Sequence, residues 1–485
     1  MSFIGIDIGS SQVKAAAFAE DGKLLAIAKV PYSYTVPVAG AMELDGNTVL
    51  AAAFEVLKNC ASQVKNISPV RAIACSSQGE AFSMLDAQGN ILAPSMISGD
   101  IRPAAVIEKF VAQYGKAKLY RQTGQPVSAM FSIAKILYIR ETQPELFKQC
   151  AKMLCFEDLL AYRLTGKAVM GSPLANRTTL YDPVNNCWIA ELLELCGISE
   201  AMLSQVMPSG SVVGKLLPEI AAELNMSKDV LWVTGGHDQI MGAFGCGAVK
   251  SGMAMYASGS VQALVPVMDK FVLSDELLAS NLCTSNFAID NYYASIAYSL
   301  TGSNLTEYFI REIVRDEARD YDALYASMPE APTGLMVLPY FTASGTPYFD
   351  ATTPGCVYGW RFGTARGELF KSFCEGVAME MRLNCELLKQ NGFDLQQLIA
   401  SGGGFRNPRA VQLHADVLNL PISVCNESET GCRGAASLAA QAVSGSSLPA
   451  PEITLIVEPN KLNSTIYSEK YAQWQKFSQT IRNFK

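Results

Sequence analysis

The chain has 485 residues, 49% of them hydrophobic and 17% charged, with a formal net charge of -7. That length calls for two large domains or more, and the apolar share excludes a disordered chain. An acidic balance with no run of five Lys or Arg excludes a nucleic-acid surface, so an anionic ligand would be held by backbone N–H groups, hydroxyls and a metal more than by lysines.

The first stretch, FIGIDIGSSQVKAAAF (3–18), reads as two strands, FIGIDIG and QVKAAAFA, around a Gly-Ser-Ser turn; EDGK makes the next turn and LLAIAKV a third strand. Asp7 interrupts the apolar pattern, and a buried carboxylate is costly unless it is paired, hydrogen-bonded or beside a cation. Either Asp7 is an accident of a strand end, or Gly9, Ser10 and Ser11 cradle phosphate oxygens while Asp7 holds Mg²⁺. TVLAAAFEVLKNCASQV has helical period, VRAIACSS is a short buried strand, and AFSMLDAQGNILAPSM is a strand followed by a turn. DVLWVTGGHD is a further strand running into a Gly-Gly turn, with a helix behind it. There Asp238 is either a helix N-cap or a general base for a hydroxyl, with His237 a packed neighbour. GMAMYASGSVQALVPVM repeats the opening logic of strand, Ser/Gly turn and strand, which makes Ser258, Gly259 and Ser260 a second candidate phosphate turn. In IASGGGFRNPRAVQLHADVLNLPI a strand ends in Ser-Gly-Gly-Gly and a helix starts after Asn407-Pro408. The glycines there are either a flexible loop or room for a flat ligand such as an adenine.

Strands alternating with helices predict an α/β fold. The repeated opening predicts two domains of similar architecture, residues 1–247 and 248–485, with a cleft between them. Neither a P-loop nor a Gly-x-Gly-x-x-Gly fingerprint is present. The thirteen scattered cysteines, without a Cys-x-x-Cys pair, read as buried thiols of a reducing compartment, and His237 and His414 are too few for a Cys/His zinc site. No signal-peptide pattern opens the chain, and the apolar run at 253–268 is broken by Ser258, Ser260 and Gln262. A cytoplasmic protein without membrane or nucleic-acid partners is expected.

Two phosphate-type turns, an aspartate near the midpoint and a late glycine loop, in that order, resemble the FGGY family of carbohydrate kinases over nearly the whole chain. FIGIDIGSSQVKAAAF is similar to the first phosphate motif, with Ser10 and Ser11 where Thr is common and Lys14 where Arg is usual. GGHDQ resembles the catalytic-aspartate motif, SGGGFRNPRAVQLHADVLNLPI the adenosine motif, and TGCRGAASLAA the segment that follows it. MFSIAKILYIRET and FKSFCEGVAMEMR resemble the two family signatures, with Tyr138 where Trp is typical. SSQGEAFSMLD matches the substrate loop, and SGDIRP keeps Asp100 and Arg102 but has Ser98 in place of an aromatic residue. YFTASGTPYFD lacks the Glu-Arg often found before its Thr-Pro.

The resemblance implies two duplicated ribonuclease-H-like domains of the actin-like ATPase type and transfer of the γ-phosphoryl of MgATP to a hydroxyl of a small ketose or polyol, xylulose-like. It assigns Asp238 as general base and as a metal ligand with Asp7. Ser10, Ser11, Lys14, Ser258, Ser260, Gly403, Gly404 and Asn407 fall to ATP, and Gln78, Glu80, Asp100 and Arg102, with Asp238, to the acceptor. A homodimer is common in such a family. Glycerol, a tetritol, a deoxyketohexose and gluconate are the alternative acceptors; an actin-like ATPase that needs no sugar, or a silent sugar sensor, is the alternative class.

Overall fold

The computed structural model describes residues 1–315, 319–350 and 352–484. The first sheet is centred on β1 (Ser2–Ile8), paired antiparallel with β2 (Gln12–Ala19), which is paired antiparallel with β3 (Leu24–Pro31). On its other side β1 runs parallel to β4 (Val70–Ser77). The edge strand β5 (Val212–Lys215) is antiparallel to β6 (Leu231–His237), and β6 is parallel to β4. Phe3, Ile4, Ile6 and Ile8 are all buried, as a central strand covered on both faces requires. One face packs on α1 (Gly46–Val64) and α2 (Phe156–Thr165), through Ile6, Val56, Leu57, Leu159 and Leu160. α1 starts where Asp45 accepts the N–H groups of Asn47 and Thr48, which supplies partners to donors that a bare helix end leaves unpaired. Strand β6 hands directly into α3 (Asp238–Gly245).

The second sheet repeats this order. Its hairpin is β7 (Met253–Ser258) with β8 (Gln262–Met268), and β9 (Ala297–Ser299) lies antiparallel beside β8. β7 runs parallel to β10 (Gln397–Ser401), which runs parallel to β11 (Ile422–Cys425), and β12 (Ile453–Val457) closes the edge antiparallel. Outside this sheet, α4 (Pro408–Leu418) and the long helix Arg366–Gln390 bury Val411, Ala415, Met381 and Leu388 against Tyr256, Leu264 and Leu398. α5 (Thr430–Ser444) follows β11. Two sheets of one topology, each opened by a hairpin, are the duplicated ribonuclease-H-like domains of the sequence reading, with the cleft between them.

α3 and α5 fill the space between the sheets, with Phe3, Phe18 and Val233 on one side and Met255, Val265 and Ile399 on the other. The two helices meet backbone to backbone. A Cβ on Gly434 would stand 2.0 Å from the Met241 carbonyl oxygen, and one on Gly245 would stand 1.9 Å from that of Thr430. Only hydrogen at both positions allows so close a crossing.

One local expectation is corrected. Gly235 and Gly236 do not form a turn: they lie inside β6, where the pairing with β4 shifts register between Val233 and Gly236. The reason is packing, because a Cβ on Gly235 would fall 1.6 Å from the Cys75 carbonyl oxygen of the neighbouring strand. All thirteen cysteines are free and ten are buried. No helix among the described residues is long and apolar enough to cross a membrane.

Candidate active site

Asp7 sits at the end of β1, where its Oδ1 accepts the Ser76 hydroxyl at 2.6 Å. The first turn of α5 presses on the same carboxylate: a Cβ on Gly431 would lie 3.1 Å from Oδ1. A helix start offers free N–H groups and a positive dipole end, which suits a buried anion. Burial pushes the Asp7 pKa up, the Ser76 bond and the Lys14 charge pull it back, and the net is a rise above the ordinary carboxylate value. In the turn beyond it, the Gly9 carbonyl accepts the Gln78 side-chain amide at 3.0 Å and the Tyr32 hydroxyl at 2.5 Å, while Ser10 and Ser11 stand exposed. Lys14 pairs with Glu429 at 2.8 Å, and Lys29 takes the other oxygen of Glu429 at 2.5 Å. That triad ties the first hairpin to the residue before α5.

Asp238 is the first residue of α3, and the N-cap is His237, so the N-cap alternative for Asp238 is overturned. Its Oδ1 lies 3.3 Å from His237 Nε2, and about 31% of its side chain faces solvent. Burial first, then the carboxylates of Asp7 and Glu80, push its pKa up to about 7. Asp7, Asp238 and Glu80 therefore share one electrostatic neighbourhood. His237 is buried and its pKa is pushed down to about 3, so it stays neutral beside Asp238.

The loop that the sequence suggests for the acceptor follows β4. Gln78 is buried, with its side-chain amide on the Gly9 carbonyl. Glu80 has a φ of +67°, a left-handed backbone that is uncommon away from glycine. Contacts on every side hold it there. Oε1 receives Arg177 Nε at 2.7 Å and also Nη2, Oε2 receives the Ser98 hydroxyl at 2.7 Å, and its carbonyl receives Ser132 and Lys135 at 3.0 Å each. Although burial alone would raise it, Arg177 foremost holds the Glu80 carboxyl below its usual range. Arg177 also donates to Gln125 at 3.2 Å and lies 4.8 Å over the Phe131 ring. A cavity of about 260 Å³ opens beside it, walled by Phe131 and Met130 from one half and by Ile296, Tyr298 and Tyr348 from the other. Asp100 and Arg102 form a separate closed group, in which Arg102 bonds Asp100 at 2.5 Å and Glu43 at 2.6 Å while Asp100 accepts the Met42 N–H.

In the second half, Ser258 ends β7 almost fully buried, and Ser260 is exposed. The glycine loop lies against the Ser258 turn: a Cβ on Gly404 would fall 2.1 Å from Ser258 Oγ, while one on Gly403 would meet nothing within 4 Å. Asn407 caps α4, with Oδ1 accepting the Arg409 N–H at 3.0 Å and Nδ2 donating to Asp322 at 3.1 Å.

Residues 2–245 match the family model for the N-terminal domain of the FGGY carbohydrate kinases, and residues 269–443 match that for the C-terminal domain. The chain belongs to the FGGY family of carbohydrate kinases. The kinase is 24% identical over 485 residues to a xylulose kinase of Escherichia coli, covering 99% of this chain and 98% of that protein. It is 28% identical over 454 residues to a glycerol kinase of Thermococcus kodakarensis, covering 91% and 88%. A crystal structure of a xyloylose kinase from Brucella ovis superposes with a TM-score of 0.93 at 25% identity, over 100% of both chains. The kinase is thus an ATP-dependent phosphotransferase acting on a hydroxyl of a small sugar or polyol.

The fold brings Asp7, Asp238, Gln78 and Glu80 into one neighbourhood, sets Ser258 beside the glycine loop, and leaves Asp100 and Arg102 paired with each other. Sequence reasoning missed Arg177, Glu429, Glu43 and Lys135. Lys135 lies in the signature segment MFSIAKILYIRET, but no local signal marks Arg177 or Glu429, since Arg177 meets Glu80 across 97 positions and Glu429 meets Lys14 across 415.

Proposed function

We propose that this kinase transfers the γ-phosphoryl of MgATP to a hydroxyl of a xylulose-like ketose, with Asp238 as the general base. The observation that carries this reading is the position of Asp238, at the head of α3 and within electrostatic reach of the Asp7 and Glu80 carboxylates, with a carboxyl pushed up to about 7. A carboxylate of that strength is still in good part ionised at physiological pH and accepts a hydroxyl proton during in-line attack. The names of the relatives, xylulose kinases and glycerol kinases, support a small polyhydroxylic acceptor.

In this reading the acceptor lies along Gln78 and Glu80, with Asp100 and Arg102 behind them. The exposed Ser10 and Ser11, with Lys14, hold phosphate oxygens on one side of the cleft, and Ser258 and Ser260 do so on the other. Gly403, Gly404 and Asn407 border the adenosine. The Asp7 carboxylate helps to push the Asp238 pKa up, and in this reading the two would hold Mg²⁺. When bound there, the ion would neutralise phosphate charge that this lysine-poor site leaves uncompensated. The halves, divided at residues 247 and 248, would close over the substrates and exclude competing water. Free buried thiols suit a cytoplasmic enzyme.

The test is ADP release with MgATP across xylulose and other ketopentoses, deoxyketoses, tetritols, glycerol and gluconate. Saturable release largest with a ketopentose is the expected result. Preference for glycerol or gluconate overturns the acceptor, and sugar-independent turnover overturns the kinase mechanism.

A further inference from the structure

Beneath the second phosphate turn lies a closed group of buried polar side chains that no step above uses. Tyr256 Oη is 2.7 Å from Gln262 Oε1 and 2.7 Å from His414 Nδ1, and Gln262 Nε2 is 3.3 Å from Ser258 Oγ and 3.5 Å from His414 Nε2. Phe405, at the end of the glycine loop, packs edge-on against both rings, 4.7 Å from Tyr256 and 5.3 Å from His414. The group therefore joins β7, β8, α4 and the glycine loop.

Its proton arrangement follows from counting donors. A carbonyl oxygen only accepts, so Tyr256 gives its single proton to Gln262 Oε1. The contact with His414 then requires Nδ1 to carry the hydrogen and donate to Tyr256 Oη. Burial pushes the His414 pKa down to about 3, so the ring is neutral and has one N–H only. Nε2 is left bare and accepts one proton of the Gln262 amide, and the other amide proton goes to Ser258 Oγ. Ser258 thus accepts from inside the fold, and among the described residues its own hydroxyl proton has no acceptor.

We propose that His414, Tyr256 and Gln262 are positioning residues that hold the Ser258 hydroxyl as a donor directed at a phosphate oxygen of the nucleotide. This rests on the reading of the Ser258 turn as a phosphate site. Reversing one link would reverse the last one: with Gln262→Glu no amide proton remains, and the serine hydroxyl would turn inward to donate to the carboxylate.

Two measurements test it on the full-length kinase. Only two histidines are present, so a ¹⁵N-histidine long-range NMR spectrum resolves His414 once a His237→Gln sample has assigned the other signal. A neutral Nδ1–H tautomer is expected, and an Nε2–H tautomer overturns the arrangement. Binding is then measured by calorimetry with a non-hydrolysable ATP analogue and with adenosine, neither of which depends on turnover or acceptor. Gln262→Glu should weaken the analogue on the order of tenfold, the scale of one hydrogen bond to a charged group, and leave adenosine within twofold. His414→Phe keeps the ring packing and should weaken the analogue a few-fold. Equal losses for analogue and adenosine would mean displacement of the glycine loop and overturn the proposal, as would wild-type analogue binding in either variant. Failure of the kinase mechanism would appear separately, as wild-type protein that binds nucleotide but phosphorylates no acceptor.

Discussion

Burial, and after it the carboxylates of Asp7 and Glu80, raises the Asp238 pKa to about 7. The neutral His237, 3.3 Å away, has too low a pKa to relieve its charge. Replacing Asp238 by Asn keeps a hydrogen-bonding side chain of the same size and removes the proton acceptor. A general base contributes about 10²- to 10⁴-fold, so Asp238→Asn should lose at least that much kcat in a coupled ADP assay. Calorimetric ATP binding should persist. Retention of more than about a tenth of the activity, which is about 1.4 kcal/mol of barrier, would remove Asp238 from the role. Its place at a strand end before a helix was legible in GGHD, because a strand and its exit are local features. Its neighbours Asp7 and Glu80, one from a strand and one from a loop, were expected beside it only through the family resemblance, since no local pattern joins residues so far apart in the chain.

The helix pair α3 and α5 is the element on which both halves depend, since one carries Asp238 and the other begins against Asp7. Their crossing at Gly434 and Gly245 leaves no room for a methyl group, and inserting one into packed structure costs about 1–3 kcal/mol. Gly434→Ala should therefore lower stability by about that amount in chemical denaturation, and reduce kcat because the head of α3 must shift. Unchanged stability and rate would show that the contact yields easily. The glycines of β6 carry a related lesson. Gly-Gly in the sequence suggests a turn because glycine is a common turn residue, yet here Gly235 is present because a neighbouring strand comes too close for any side chain.

At the scale of the whole molecule, the Lys14–Glu429–Lys29 triad links β2 and β3 to the start of α5 across 415 and 400 positions of sequence. Glu429 is nearly buried, and the two lysines hold its carboxyl below the usual value of 4.5 despite burial. A carboxyl with a lowered folded pKa contributes stability that is present above its unfolded pKa and is lost as pH falls through the folded one. Glu429→Gln should lower the unfolding midpoint at pH 6 to 8 by an amount that hardly varies with pH. The gap to the wild type should close as the medium is acidified below about pH 4. A gap that widens in acid would contradict the assigned ion pairs. Arg177 is the other long-range organiser, joining Glu80 to a cavity whose walls come from both halves.

The sequence by itself determined the repeated hairpins, the order of the phosphate-type turns, the aspartate at the strand exit and the glycine loop before α4. Each is written in a contiguous run of residues whose period and turn chemistry act over a few positions. The tertiary structure alone decided that Glu80 is clamped by Arg177, that Asp100 and Arg102 close on Glu43, and that Ser258 receives its hydrogen bond from a ring ending in His414. Charges and hydroxyls choose partners by distance in space, and in this fold those partners come from strands and helices that only the packing of two sheets around α3 and α5 brings together.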